Sequence, residues 1–136
     1  MYVPPEVHSS TMSGRGSAPP VKRVPAIFFR TATGNEPLRA WLKSLDADDR
    51  RRIGEDIKTA EFGWPVGMPT CKAMGDGLHE VRTNLEGNRI ARVFFYIDGI
   101  QRMVLLHGIV KKTRKTPADD LKLARANQQK HKKSMA

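Results

Sequence analysis

The chain has 136 residues, 24 of them Lys or Arg against 14 Asp or Glu, which gives a net charge of +10 and an isoelectric point near 10.2. That length holds one domain, the 39% hydrophobic and 28% charged composition is that of a globular protein with a modest core, and the single cysteine, Cys71, excludes an intrachain disulfide and points to a reducing compartment. No apolar run approaches the ~20 residues needed to span a bilayer, and no charged start leads into an apolar stretch, so neither a membrane span nor a signal peptide is expected and a cytoplasmic location follows.

In chain order, residues 1–20 are dominated by Ser, Pro and Gly without an apolar period, and are expected to be a disordered linker, partly non-native. The run 24–29 (VPAIFF) reads as a first strand, held to a sheet edge by Pro25. Leu38, Trp41, Leu42 and Leu45 fall at i, i+3, i+4 and i+7 after Pro37, the stripe of a short helix. Asp46 is the expected N-cap of a second helix that buries Ile53, Ile57 and Ala60 and turns Arg50, Arg51, Arg52, Glu55 and Lys58 outward. The two should form a helical hairpin on a flat surface. The Gly- and Pro-rich stretch 63–77 reads as a loop, with Cys71 an incidental thiol and Gly75-Asp76-Gly77 a plain turn.

From there the period becomes two. A strand is predicted over 78–82, a turn at Glu86-Gly87-Asn88, a strand over 89–97, a two-residue hairpin turn at Asp98-Gly99 and a return strand over 101–110. Thr116 is the expected cap of a last helix over 118–128, with Pro117 at its start and an acid three residues after the cap. A basic, frayed tail closes the chain at 129–136, leaving 21–128 as the folded domain. The order β-α-α-β-β-β-α implies an α+β fold, a helical hairpin and a C-terminal helix on a small, mainly antiparallel sheet.

The charge is uneven. Residues 111–136 hold nine basic and two acidic residues, a net +7, against +3 for everything before. A field concentrated at one end favours a polyanionic partner, nucleic acid above all. No Cys/His spacing suits a metal, no glycine-rich loop suits a nucleotide, and the acids are too scattered for a two-metal nuclease, so neither metal nor cofactor is expected. Cleavage of RNA would then use the RNA's own 2′-hydroxyl, with a general base, a general acid and cations to hold the phosphate.

Arg82, Arg89 and Arg92 are suited to gripping phosphate, since the guanidinium fork stays charged. Arg89 and Arg92, three apart, point to opposite faces of an ideal strand. His107 titrates near neutrality and can move a proton; Glu80 is a second candidate base, or an ion-pair partner of the arginines. Lys111, Lys112, Arg114 and Lys115 follow His107 and can line a phosphate groove. Tyr96 is a ring that could stack on a base.

The strings LHEVRTNLEGNRIARVFFYIDG and MVLLHGIVKKTRKTP resemble the RelE/ParE toxin superfamily, in particular its phage-derived, HigB-like branch. That branch shows an L-x-E-[VL]-R strand, then G-x-R-x-x-R-V-F-[YF], then LLHGF-x-KKT-x-KTP and a helix. Here the positions are Leu78, Glu80, Val81 and Arg82; Gly87, Arg89, Arg92, Val93, Phe94 and Phe95; and 105–117, with Ile109 where Phe is common. The resemblance implies the toxin of a type II toxin–antitoxin pair, an endoribonuclease acting on ribosome-bound mRNA. It implies a cognate antitoxin with a DNA-binding domain, through which alone operator DNA would be reached. It carries over onto the strand arginines Arg82, Arg89 and Arg92 and onto His107, Lys111, Lys112 and Lys115; together with the chemistry of the residues, the candidates are Arg82, Arg89, Arg92, His107 and Glu80 for catalysis and Lys111, Lys112, Arg114, Lys115 and Tyr96 for RNA binding. A ParE-like inhibitor of DNA gyrase shares the fold, and a non-enzymatic protein that binds nucleic acid or an antitoxin remains a third reading.

Overall fold

The computed structural model of the chain describes residues 19–136. Of the linker expected over 1–20, only Pro19 and Pro20 fall within that range, and both are exposed. The elements are β1 (Ala26–Phe28), α1 (Pro37–Ser44), α2 (Ala47–Gly63), β2 (Cys71–Gly75), β3 (Leu78–Leu85), β4 (Arg89–Ile97), β5 (Met103–Lys111) and α3 (Ala118–Ser134). The five strands form one sheet in the order β1-β5-β4-β3-β2. β1 runs parallel to β5 at one edge, and the other pairs are antiparallel. This is the expected α+β architecture, with one strand more than the sequence suggested.

The helical hairpin forms as its pattern dictates. Leu38 and Leu42 of α1 and Ile53, Ile57 and Ala60 of α2 are buried. Asp46 caps α2, its side chain accepting from the Asp49 amide at 2.9 Å, and Asp48 and Asp49 in the first turn complement the helix dipole. Both helices pack on one sheet face, whose inward residues include Val81, Leu85, Val93, Phe95 and Leu105. Glu61, buried in α2, fastens β1 by accepting from the Ala26 amide at 2.7 Å and pairing with Lys22 at 3.0 Å. α3 lies on the opposite face over Leu78, Phe94, Tyr96, Val104 and Leu106.

Four expectations are corrected. The stretch 63–77 contains β2, whose pattern shows only Cys71 buried and therefore no alternation to read. Cys71 is thus not a loop thiol but a core residue, and burial, with Asp56 nearby, pushes its pKa up to about 11. The β4–β5 connection is not a two-residue turn. Buried Asp98 organises a longer loop, its carboxylate accepting from the amides of Ile100 and Arg102 and from the Arg102 guanidinium. Thr116 does not cap α3; Pro117 holds the cap position, and the Thr116 hydroxyl donates to Glu80 instead. Finally α3 continues to Ser134, because its last turn carries His131, Lys132 and Lys133 against the negative helix end.

A bulge in β5 decides which residues share a face. Phe94 pairs with His107 but Phe95 pairs with Leu105, so Leu106 is extra. Side-chain parity flips there. Leu106, His107, Ile109 and Lys111 all point to the α3 face, while Gly108 and Val110 point to α1. Gly108 meets α1 closely: a Cβ built on it would lie 2.5 Å from the Trp41 ring and 2.8 Å from Leu38. Gly108→Ala is therefore expected to lower stability by about 1–3 kcal/mol through overpacking, read as a fall in the urea midpoint. An unchanged midpoint would contradict this packing.

Candidate functional site

With the bulge in place, the α3 face of the sheet carries, beyond the row of Leu78, Tyr96 and Val104 beneath α3, three further rows of side chains. Lys72, Glu80, Phe94 and His107 are register partners in one row; Arg82, Arg92 and Ile109 form the next; Asn84, Ile90 and Lys111 form the third. Neighbouring strands stand about 4.8 Å apart, so each row spans roughly 10–15 Å. α3 covers the Phe94 end of the face and leaves the arginine end open.

Across the arginine end folds the connection from β5 to α3, residues 112–117. It is held from beneath. Arg92 has no exposed surface, and its Nη2 donates to the carbonyl oxygens of Thr113, at 2.6 Å, and Arg114. Arg82 Nη2 donates to the same Arg114 carbonyl at 3.3 Å. Glu80, 1% exposed, accepts from Thr116 at 2.9 Å and lies 3.5 Å from Arg82 and 3.8 Å from Arg92. Burial pushes the Arg92 pKa below its ordinary value, partly offset by the Glu80 charge. One carboxylate thus compensates two guanidiniums in a site where an unpaired charge would be costly.

Outside this latch lies an open groove of about 580 Å³ lined by Lys72, Arg82, Asn84, Ile90, Arg114 and Lys115. Four of the six are cations and none is an acid. A second concavity of about 300 Å³ adjoins it, sharing Arg82 and Asn84 and adding Asp56, Met68, Pro69 and Thr70. Cations converging on a concave wall with one half-buried guanidinium suit an anion such as a phosphodiester in charge and shape.

The candidates from the sequence divide accordingly. Arg82, Arg114 and Lys115 meet in the groove. Lys111 shares the face without lining the groove, and Lys112 is exposed on the connection. Arg92 is beneath the connection, unable to touch a ligand directly. Arg89 is elsewhere: it starts β4 on the helical face and forms a two-pronged pair with Asp49 of α2, at 2.7 and 3.0 Å. Its place apart from Arg92 follows from their spacing of three, as the strand period required. Glu80 is fully engaged, the ion-pair partner rather than a free base. Tyr96 is 4% exposed beneath α3, where its hydroxyl meets His131 Nδ1, so its ring is not offered to a base.

His107 is half-buried and stacked on Phe94, with ring centroids 5.9 Å apart. Its Nε2 lies 2.8 Å from Asp120 Oδ1 in the first turn of α3. It does not line the groove. Asp120, Lys72, Asn84 and Ile90 are site residues the sequence reading passed over. Lys72 could be found only by seeing that β2 pairs with β3.

Among the described residues no group of three or more His, Cys, Asp or Glu side chains could hold a metal ion, and no helix is long and apolar enough to cross a membrane.

Two histidines away from the groove report on the fold. Burial lowers the pKa of His79, packed between Trp64 and Phe95, and of His131, on Tyr96. Between a lowered folded value and the ordinary 6.5, only the unfolded chain binds the proton. Their contribution is therefore present above 6.5 and lost as the pH falls from there through the folded values. The urea midpoint is expected to fall between pH 7.5 and 5.5, less so in His131→Gln; a midpoint flat over that range would contradict both burials.

The family model described as phage-derived protein Gp49-like (DUF891) matches residues 40–129, from α1 into α3, and so takes in every residue of the groove. No curated protein matches the chain.

Proposed function

This chain belongs to the phage-derived Gp49-like family, part of the RelE/ParE-like toxin group, and from that premise we propose that it is the toxin of a toxin–antitoxin pair, an endoribonuclease of the HigB-like branch that cuts ribosome-bound mRNA. Its partner is a cognate antitoxin with a DNA-binding domain, and operator DNA is reached only through that partner. The observation that carries the reading is the groove: Lys72, Arg82, Arg114 and Lys115 converge on one concave wall without an opposing acid.

In this reading the RNA backbone lies along the groove, and Arg82 faces the scissile phosphate. The 2′-hydroxyl gives up its proton to the base as its oxygen forms a bond to phosphorus, and the bond from phosphorus to the 5′-oxygen breaks, that oxygen leaving with the bonding pair and taking up a proton, so that a 2′,3′-cyclic phosphate and a 5′-hydroxyl result. Charge developing on the phosphoryl oxygens is met by the guanidinium and lysines. His107 is the proton carrier: Asp120 fixes its Nε2 side, leaving Nδ1 to exchange the proton.

One observation favours a second reading. His107 does not line the groove, as would suit a toxin that binds nucleic acid without cutting it. Purified protein incubated with ribosomes and a defined mRNA separates the two. Cleavage by the wild type that is lost in His107→Ala, with RNA affinity kept, supports the enzyme; tight binding without cleavage supports the binder.

A further inference from the structure

Another concavity lies far from the RNA groove. It is formed by Ile27–Thr33, at β1 and the turn after it, by Arg102 beside the β4–β5 loop, and by Lys130, His131, Lys133 and Ser134 at the end of α3; its volume is about 850 Å³. α3 has 17 residues, so at 1.5 Å per residue its two ends stand about 24 Å apart. Asp120, which orients His107, is at the start of the helix, and this groove is at its end.

The lining is apolar along β1, where Ile27 and the edge of Phe29 belong to the α3 face, and cationic elsewhere, with Arg30, Arg102, Lys130 and Lys133. Arg102 is already neutralised by Asp98 at 2.8 Å. Among the described residues, Arg30, Lys130 and Lys133 have no carboxylate within salt-bridge distance, and no acid lines the groove. Cations in the last turn of a helix are expected from its dipole. That does not account for Arg30, which stands on another element and faces the same space.

The geometry points to this groove as a docking site for an acidic segment of a protein partner, one whose apolar side chains rest on Ile27 and Phe29 while its carboxylates meet Arg30, Lys130 and Lys133. The charge sets the sign of the occupant. An acidic peptide with apolar side chains matches both parts of the lining, whereas a sugar–phosphate backbone alone matches only the cations; a strand that lays its bases on β1 is the competitor the RNA probe below tests. The inference rests on the toxin reading only for the expectation of a protein partner; its chemistry stands on the groove alone.

The test uses the full chain and three probes: a labelled peptide of alternating Glu-Glu and Leu-Leu pairs, polyglutamate, and a single-stranded RNA oligomer. The peptide should bind more tightly than polyglutamate. Lys130→Glu with Lys133→Glu, both exposed, should weaken the peptide about tenfold or more, a change of 1.4 kcal/mol or more, while RNA affinity and mRNA cleavage stay within about twofold. Arg30→Glu should act in the same direction from the other wall. Peptide affinity unchanged in both variants would overturn the proposal. So would equal losses for peptide and RNA, which would make the groove part of the nucleic-acid surface, and so would polyglutamate binding as tightly as the peptide. Absence of mRNA cleavage in every form, with the peptide result as expected, would remove the ribonuclease reading and leave the docking site standing.

Discussion

Arg92→Ala is expected to be the most destabilising single change on the α3 face, lowering stability by about 3 kcal/mol, the range seen when one member of a buried charged pair is removed. Arg92 is wholly buried, and its loss strands two groups at once. The Thr113 carbonyl loses its donor while the Arg114 carbonyl keeps only Arg82 at 3.3 Å, and Glu80, 1% exposed, keeps only Thr116 and a 3.5 Å approach from Arg82. The connection over 112–117 should loosen, so RNA affinity falls with stability although Arg92 touches no ligand. Glu80→Gln in the same chain should recover part of the loss, because the stranded charge is gone. The measurement is a set of urea melts on both single variants and the double. Strictly additive losses would contradict a shared charge network.

Arg82→Ala is expected to separate activity from stability. Arg82 lies on the groove and is part-exposed, with a backbone bond of 3.3 Å that the Arg92 side chain duplicates. Its loss should therefore cost less stability than that of Arg92. The cleavage rate should drop by about 10²-fold or more, the usual cost of removing one donor aimed at developing charge. Arg82→Lys should recover little, since a point charge replaces a fork. A rate within a few-fold of wild type would remove Arg82 from the reacting centre. Arg89→Ala, by contrast, should leave the rate largely unchanged and act on stability, because its guanidinium is held by Asp49 on the other face.

Periodic segments were the legible part of this sequence. The stripe at Leu38, Trp41, Leu42 and Leu45 has one apolar face to bury, and the long apolar run of 89–97 is buried on both, Ala91, Val93 and Phe95 under the helical hairpin and Phe94 and Tyr96 under α3. Arg89 and Arg92 were separable by strand parity alone. β2 was not legible, because an edge strand with one buried residue has no pattern, and Lys72 was hidden with it. The bulge at Leu106 was equally invisible: MVLLHGIV is apolar throughout, so an extra residue leaves no mark, yet it sets the face of His107 and Lys111. Thr116 does not cap because, although a hydroxyl three residues before an acid suits a capping box, the buried Glu80 carboxylate brought near by the sheet takes its hydroxyl as a donor. Sequence spacing carries local geometry; the latch of Glu80, Arg82, Arg92 and Thr116 joins three segments by tertiary pairing.

The most direct test of the central claim is to map transcript 5′ ends in bacteria within minutes of inducing the wild-type chain and the Arg82→Ala variant. The account predicts new ends at codon-phased positions inside translated mRNA with the wild type, and none with the variant at equal protein level. Growth arrest without new ends would contradict the ribonuclease assignment and leave the basic groove as a binding surface.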